Sequence, residues 1–448
     1  WNGGSWVSGE TWVTASGREN WYYSLPSLSD STEYLVKSKA VDGAGNIQET
    51  PDEVSFTFFS GEIIETDTTL SEGVYTYQSL LVKNGAVLNI SGGSVIDITG
   101  DFYIIENSEV IPRGKNTQTT DQGEGVNFTV GGNFYLESGS VINASGQGYQ
   151  GGNWTHLSGY GPGNGTSSTS SSASGGGHGG RGGDGASDAG GRAYGSFSNP
   201  LYFGSGGGGT NGEWNDGIGG SGGGLVFINI TGEADLFGDI LADGGDGSRR
   251  QGDSQDLFGG GSGGSIYLDV GGRLRGSGNL SSKGGKGSDY TSDDARYGDG
   301  AGGRIALKFN RINFSGNIDV SEASESKENI FQEGEAGSIF LYDKSSSRVI
   351  VNHTGTNLTE RTNSNIALFS GNISDDSIII NSLKGSKWEF NINNFVLPTG
   401  KTINLDGQGF MGGSGEFPNH YQGFGPGGGS SASGSTYSGA GYGGLGGN

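Results

Sequence analysis

This sequence predicts an all-β fold: a short-strand β-solenoid, parallel β-helix-like, with glycine-rich insertions packed against it. Three observations predict it. Short apolar stretches recur along the chain, broken by Gly, Asn or Ser at intervals of about five to eight residues, and no helical period runs through them. A strand–glycine–strand unit then repeats, which is how stacked repeats are written in a sequence. Glycine supplies 95 of the 448 residues, roughly three times its usual share of about 7%. Between the glycines lie 7 Trp, 18 Tyr and 21 Phe, far more than disordered chains carry.

Composition narrows the function classes. The 48 acidic and 25 basic residues leave a net charge of −23, and a surface this negative repels phosphate backbones, which argues against nucleic acid as a partner. There is no Cys, hence no disulfide and no thiolate metal site. No apolar run is long enough to span a membrane. Residue 1 is Trp and the last residues, GAGYGGLGGN, break off within a glycine pattern. The expectation is an internal fragment of a longer chain.

Residues 1–59 form the first expected module. They carry Trp1, Trp6, Trp12 and Trp21 and strand-like runs such as YLVKSKAV and VSFTF. The stretch YLVKSKAVDGAGN, from Tyr34 to Asn46, resembles the closing strands of bacterial Ig-like or fibronectin-like modules, in which a strand of the form Y-x-V-x-x-x-A-x-D precedes an A-G-N turn. That resemblance implies the C-terminal part of a sandwich that acts as a stalk spacer. Residues 60–121, including LLVKNGAVLNISGGSVIDITGDFYIIENSEVI, read as the start of the solenoid.

Residues 122–387 read as a repeat superblock. Apolar strands begin at Val126, Leu225, Ile266 and Ile305, with a partial copy at Ile339. In the four full copies a glycine precedes a second strand, at Gly139, Gly238, Gly278 and Gly316. Residues 388–448 read as a truncated second superblock: WEFNINNF starts another copy at Trp388, GQGYQGG at 146–152 returns as GQGFMGG at 407–413, and GYGPG from Gly159 returns as GFGPG from Gly423.

The glycine runs themselves keep a phase of three. In GGGHGGRGGDGASDAGG, residues 175–191, the side chains of His178, Arg181, Asp184 and Ser187 fall at every third position. Three residues per turn is the period of the extended polyproline-type helix. Glycine in that form lets backbones pack at close range, provided that their N–H and C=O groups pair with one another. Every third position can then carry an outward side chain. Solvated loops are the competing reading, because ordering glycine is entropically costly. The triplets resemble polyglycine-helix assemblies of phage tail-tip adhesins, of glycine-rich antifreeze proteins and of the glycine-rich domain of anaplastic-lymphoma-kinase receptors. Strands framed as GGSIYLDV and GGRIALKF are similar to repeats of large microbial surface proteins. The phage and receptor resemblances imply display of a recognition surface, and the antifreeze resemblance implies ice binding.

Candidate chemistry is sparse. GGRGGD (179–184) and GGKGSD (284–289) match the start of the calcium nonapeptide, though each copy stands alone. Asp184, Asp243, Asp246, Asp289, Asp293 and Asp294 are the candidate Ca²⁺ ligands, hard oxygen donors of the kind calcium takes, with a solvated acidic rim as the alternative. No Gly-Lys-Ser/Thr follows the glycines, which excludes a phosphate loop. The four His (156, 178, 353, 420) make no zinc or triad pattern. Asp235, Asp239 and Asp243 are the carboxylates a β-helix glycosidase or lyase would use, but the corresponding repeat positions are Leu274, Asn279 and Lys283.

Eleven N-x-S/T sequons, at Asn89, Asn127, Asn143, Asn153, Asn164, Asn229, Asn279, Asn313, Asn352, Asn357 and Asn372, fit a glycosylated extracellular protein. Tyr149, Trp154 and Tyr160 offer a sugar-stacking or partner surface if exposed, or a plug for the glycine segments if buried. The expected protein is a non-enzymatic adhesin, filament or coat component at a cell surface. Its partner would be a surface glycan, a protein receptor or further copies of itself, with Ca²⁺ as the one candidate cofactor. A carbohydrate-binding or carbohydrate-cleaving β-helix and an ice-binding protein are the alternatives.

Overall fold

The computed structural model describes residues 1–17, 22–29, 32–168, 172–211, 217–249, 258–288, 296–323, 333–345, 348–352 and 366–370. Among them every regular element is a strand, and no helix is long and apolar enough to cross a membrane. The chain divides into two compact units, Trp1–Glu62 and Ile63–Asn448. The second superblock expected at 388–448 lies outside the described residues.

In the first unit, strands Thr32–Ser38 and Asp52–Phe58 pair antiparallel, with Thr32 opposite Phe58 and Ser38 opposite Asp52. Asp42 shapes the reversal between them: its carboxylate accepts the amides of Ala44 and Asn46, both at 2.8 Å, an Asx-type turn that suits DGAGN. Gly45 sits there at φ +89°. Trp1, Trp6, Tyr34 and Phe56 form a chain of ring contacts with centroids 5.4 to 5.8 Å apart. The described strands of this unit make one two-stranded sheet.

The second unit is built from three sheets of short strands, and the chain visits them in rotation. A rung comprises a first, a second and a third strand. The second rung is Leu80–Val82, Val87–Ile90 and Val95–Ile98; the fifth is Ala234–Leu236, Asp239–Leu241 and Ser265–Val270. Seven rungs stack from Glu62–Ile64 to Ser338–Asp343, with parallel pairing between rungs in all three sheets. This is the arrangement of a β-solenoid. The strands Arg348–Asn352 and Ile366–Ser370 then extend the third sheet antiparallel.

Alternation creates the core. Val87–Ile90 and Val95–Ile98 each bury every second residue, as a pleated strand with one inward face must. In-register stacking lines those residues up from rung to rung: Ile96, Phe128, Ile228, Leu268 and Leu307 form one column of the third sheet, each fully buried. Phe102 stacks on Phe134 at 5.3 Å. Each such side chain contributes roughly 1.5–3 kcal/mol of burial. Asn84 and Gly85 turn a corner of the second rung with φ of 62° and 70°, the pair that a tight turn of this hand favours. The repeat glycines also stack at a corner. A Cβ on Gly278 would lie 1.8 Å from the Gly238 carbonyl oxygen, and one on Gly316 would lie 1.9 Å from that of Gly278.

One topological fact places everything that follows. From the third rung onward, the extra chain always enters between the second and third strands: residues 113–125, 144–224, 242–264, 282–303 and 320–337. All the insertions therefore emerge along one corner of the solenoid. The second, 144–224, reaches across the third sheet's outer face, where Phe197 meets Phe340 at 5.6 Å and Ser265 donates to the Tyr202 carbonyl at 2.6 Å.

Candidate functional site

The insertions meet through their backbones, and the segment 258–265 shows how. Gly259 donates to Gly208 O and Ser262 to Ser205 O, at 2.8 and 2.9 Å; Gly260 donates to Gly298 O and Gly263 to Ala301 O, at 3.0 and 2.8 Å; Gly261 donates to Gly245 O and Gly264 to Ala242 O, at 3.0 and 2.7 Å. Successive amides thus point to three different neighbours, and the fourth returns to the first. Each step of three along this segment is matched by a step of three along its partner. The same rule governs Gly219 to Gly152 O with Gly222 to Tyr149 O, and Gly300 to Gly285 O with Gly303 to Ser282 O. Buried amides are satisfied without a sheet ladder, as burial demands.

Such pairing leaves no room for side chains at most positions. A Cβ on Gly261 would sit 2.1 Å from Ser221 O, and one on Gly264 would sit 2.0 Å from Gly224 O. Neighbouring carbonyl oxygens already occupy that space, against the glycine Cα hydrogens. Where a side chain does enter, it is mostly small and hydroxylic: Ser262 Oγ accepts the Ser205 amide at 2.8 Å, and Ser205 Oγ accepts that of Gly163 at 3.0 Å.

The every-third side chains do not follow the outward expectation. His178 is fully buried, and Asp184 is 6% exposed. Nδ1 of His178 lies 2.9 Å from Gly263 O, the geometry of an Nδ1–H donor. Its ring packs against Tyr194 at 4.8 Å. Burial, reinforced by the nearby Arg304 guanidinium, pulls its pKa down to about 3. Arg304 is buried as well. It donates to Tyr194 O at 3.0 Å, to Ser338 Oγ at 2.9 Å and to His178 O at 3.2 Å, and burial lowers its pKa to about 10. His178 faces another insertion, the one that carries Gly263, so burial replaces exposure there.

The candidate calcium ligands are engaged within the protein. Asp184 pairs with Arg181 and accepts the Gly190 amide at 2.6 Å. Oδ1 of Asp243 accepts the Ser281 hydroxyl at 2.6 Å and the Lys283 amide at 2.7 Å, while burial raises its pKa. Asp246 accepts the Lys286 amide at 2.7 Å. Asp289, Asp293 and Asp294 lie outside the described residues, among which no group of three or more His, Cys, Asp or Glu side chains could hold a metal ion. The carboxylates considered for glycoside chemistry are similarly occupied. Asp235 binds Arg275 through both oxygens, one contact being 2.6 Å, and Asp239 accepts the Asn279 amide at 2.9 Å. Each joins the fifth rung or its insertion to the sixth, one repeat later. These aspartates staple rungs together. Sequence spacing alone shows such pairs only once the rung length is known.

Of the sequon asparagines, Asn127 and Asn313 are exposed on strands. Asn89, Asn143, Asn153, Asn164, Asn229 and Asn279 are half-buried. Asn89 accepts from Arg113 at 2.7 Å and Asn143 donates to Glu109 at 2.9 Å. Asn352 ends a strand, and Asn357 and Asn372 lie outside the described residues. The three aromatics part company. Trp154 is 39% exposed, and Tyr160 is half-buried with its ring stacked on His156 at 4.5 Å. Tyr149 is fully buried against Phe203 and Leu225, so it cannot belong to a surface that stacks on ligands. Its hydroxyl needs a partner once buried and donates to Asp121 O at 2.6 Å.

No protein-family model, no curated protein and no solved structure matches the chain.

Proposed function

We propose that this chain is part of a non-enzymatic, extracellular surface protein, an adhesin or a filament or coat component, in which the solenoid is a stem and the insertions are a polyglycine II-type array displayed along one corner. The observation that carries the reading is the threefold rotation of amide partners in segment 258–265, the repeat expected of packed three-per-turn helices. An interior made of backbone holds a large loop surface in a fixed shape, and display of recognition surfaces on rigid scaffolds is a common use of loops. The first unit then serves as an Ig-like spacer. Surface glycans, protein receptors or further copies of the chain are the partners, and Asn127 and Asn313 are the sequons best placed to carry sugar. Calcium enters this reading only through Asp289, Asp293 and Asp294.

Antibodies raised against the 448-residue chain test the localisation. They are expected to label intact, unpermeabilised source cells or their shed filaments. Labelling that requires permeabilisation would place the protein inside the cell and end the reading.

A further inference from the structure

Beside the glycine segments lies a cavity of 610 Å³ with an unusual lining, of a size typical of small-ligand clefts, about 300–1,000 Å³. Four side-chain amides line it, those of Asn116, Gln118, Gln122 and Gln150, together with the hydroxyls of Thr117 and Thr119. Asp121 is the one charged residue of the seven. Primary amides and hydroxyls are groups that both donate and accept.

The loop that forms this cavity is held from beneath. Thr117 O accepts the Gln150 amide at 3.0 Å, Thr119 O accepts that of Gly161 at 2.9 Å, and Asp121 O accepts the Tyr149 hydroxyl at 2.6 Å. The same hydroxyl accepts the Gly123 amide at 3.0 Å. Lys115 and Glu124 close the base by bonding each other's backbones at 2.9 and 3.1 Å. Backbone groups at alternate positions, 117, 119, 121 and 123, are thereby consumed below. Of the side chains above, Asn116 donates to Glu124 Oε1 at 2.9 Å, Gln122 donates to the Leu201 carbonyl at 3.3 Å and Thr119 Oγ1 accepts the Asp121 amide at 3.1 Å; each of these bonds uses one donor or acceptor of a group that has several. Gln118 Nε2 donates to Gln150 Oε1 at 2.6 Å. That bond uses the Gln118 amide nitrogen and the Gln150 oxygen, and the Gln118 oxygen and the Gln150 nitrogen are the remaining acceptor and donor of the pair.

We infer that this cavity is a binding site for an uncharged carbohydrate chain. Each sugar hydroxyl donates and accepts, and paired amides match adjacent hydroxyls in both roles. Phosphate, sulfate and carboxylate ligands call for basic groups, which the lining lacks. Peptide docking draws on open sheet edges or apolar side-chain pockets, and the cavity provides neither. Tyr149 acts here as a positioning residue, fixing the loop without touching the ligand. Preorganisation of this kind reduces the ordering cost of binding.

The site rests on the surface reading only for where such a glycan is met. The test is a printed array of neutral glucans, mannans, galactans and N-acetylhexosamine oligomers, with sialylated and sulfated glycans and unmodified peptides beside them. It is probed with the labelled 448-residue chain and with Gln118→Ala and Gln150→Ala. Both changes fall on exposed side chains. Retention on a neutral glycan is expected, weakened about tenfold in each variant, the effect of losing one hydrogen bond, with an unchanged unfolding midpoint. No retention on neutral glycans, retention on anionic glycans or peptides alone, or equal binding by the variants overturns the site. Neutral-glycan binding by a protein that stays inside the cell would instead leave the site standing and remove the surface reading.

Discussion

Gly261→Ala is expected to destabilise the second unit by about 3 kcal/mol, the upper part of the range for forcing atoms into a filled interior. The added methyl would lie 2.1 Å from Ser221 O and 2.8 Å from Gly220 O. Those are backbone atoms, which cannot rotate away, so relief requires a neighbouring segment to move. Every neighbour is itself bonded on several sides, and the shift spreads. Gly245→Ala is the matched control. It belongs to the same set of segments, yet its nearest neighbour would be Ser221 O at 3.3 Å. Alanine there costs under about 1 kcal/mol, partly offset by the lower entropy of the unfolded chain. Urea midpoints of the two variants check the contrast. Solvated loops would tolerate both alike.

Acid is expected to weaken the protein through His178. In the fold this ring stays neutral down to about pH 3, whereas the unfolded chain protonates it near its ordinary value of about 6.5. Above pH 6.5 both states carry a neutral ring and no difference arises. Below it the unfolded state binds a proton that the folded state refuses, so stability falls progressively from pH 6.5 to about pH 3 and then levels. At roughly 1.4 kcal/mol per pH unit, the loss is on the order of 4–5 kcal/mol. The cause is burial first and the Arg304 cation second. His178→Gln removes the titrating group and keeps a hydrogen-bonding side chain. Unfolding free energies of wild type and variant, measured from pH 7 to pH 3, should diverge in slope by that amount. Parallel profiles would show that His178 is accessible to protons.

Much of the solenoid was legible because its repeats are local. The strand starts at Leu225, Ile266, Ile305 and Ile339 stack within one residue of the register they suggest, Val226 opposite Ile266, and Ile266 opposite Ile305. The corner glycines at 238, 278 and 316 stand where backbone meets backbone. The fourth rung was hidden: its second strand ends at Asn143 and its third begins at Leu225, and no local signal bridges so long an insertion. Rungs one to three lack the glycine runs that punctuate later repeats, so their period blurred into generic short strands.

Side-chain roles were harder to read than strands. Asp243 and Asp246 read as calcium ligands, and Asp235, Asp239 and Asp243 as glycosidase carboxylates, because they cluster in sequence, but their partners come one rung later. His178 was expected outside because a three-residue phase says which positions differ, not which neighbour each one faces. The polar run NTQTTDQ carries no motif. It lines a cavity because residues distant in sequence anchor it, Tyr149 through its hydroxyl and Gln150 and Gly161 through their amides.

The central claim is that glycine backbones pair with one another in rotation. The most direct measurement is the scalar coupling transmitted across hydrogen bonds in protein labelled with ¹⁵N and carbonyl-¹³C at glycine alone. Couplings are predicted from the Gly260 nitrogen to the Gly298 carbonyl, from Gly176 to Gly260 and from Gly220 to Gly259. Absence of these couplings, with the same amides exchanging with solvent at the rate of an unfolded chain, would contradict it.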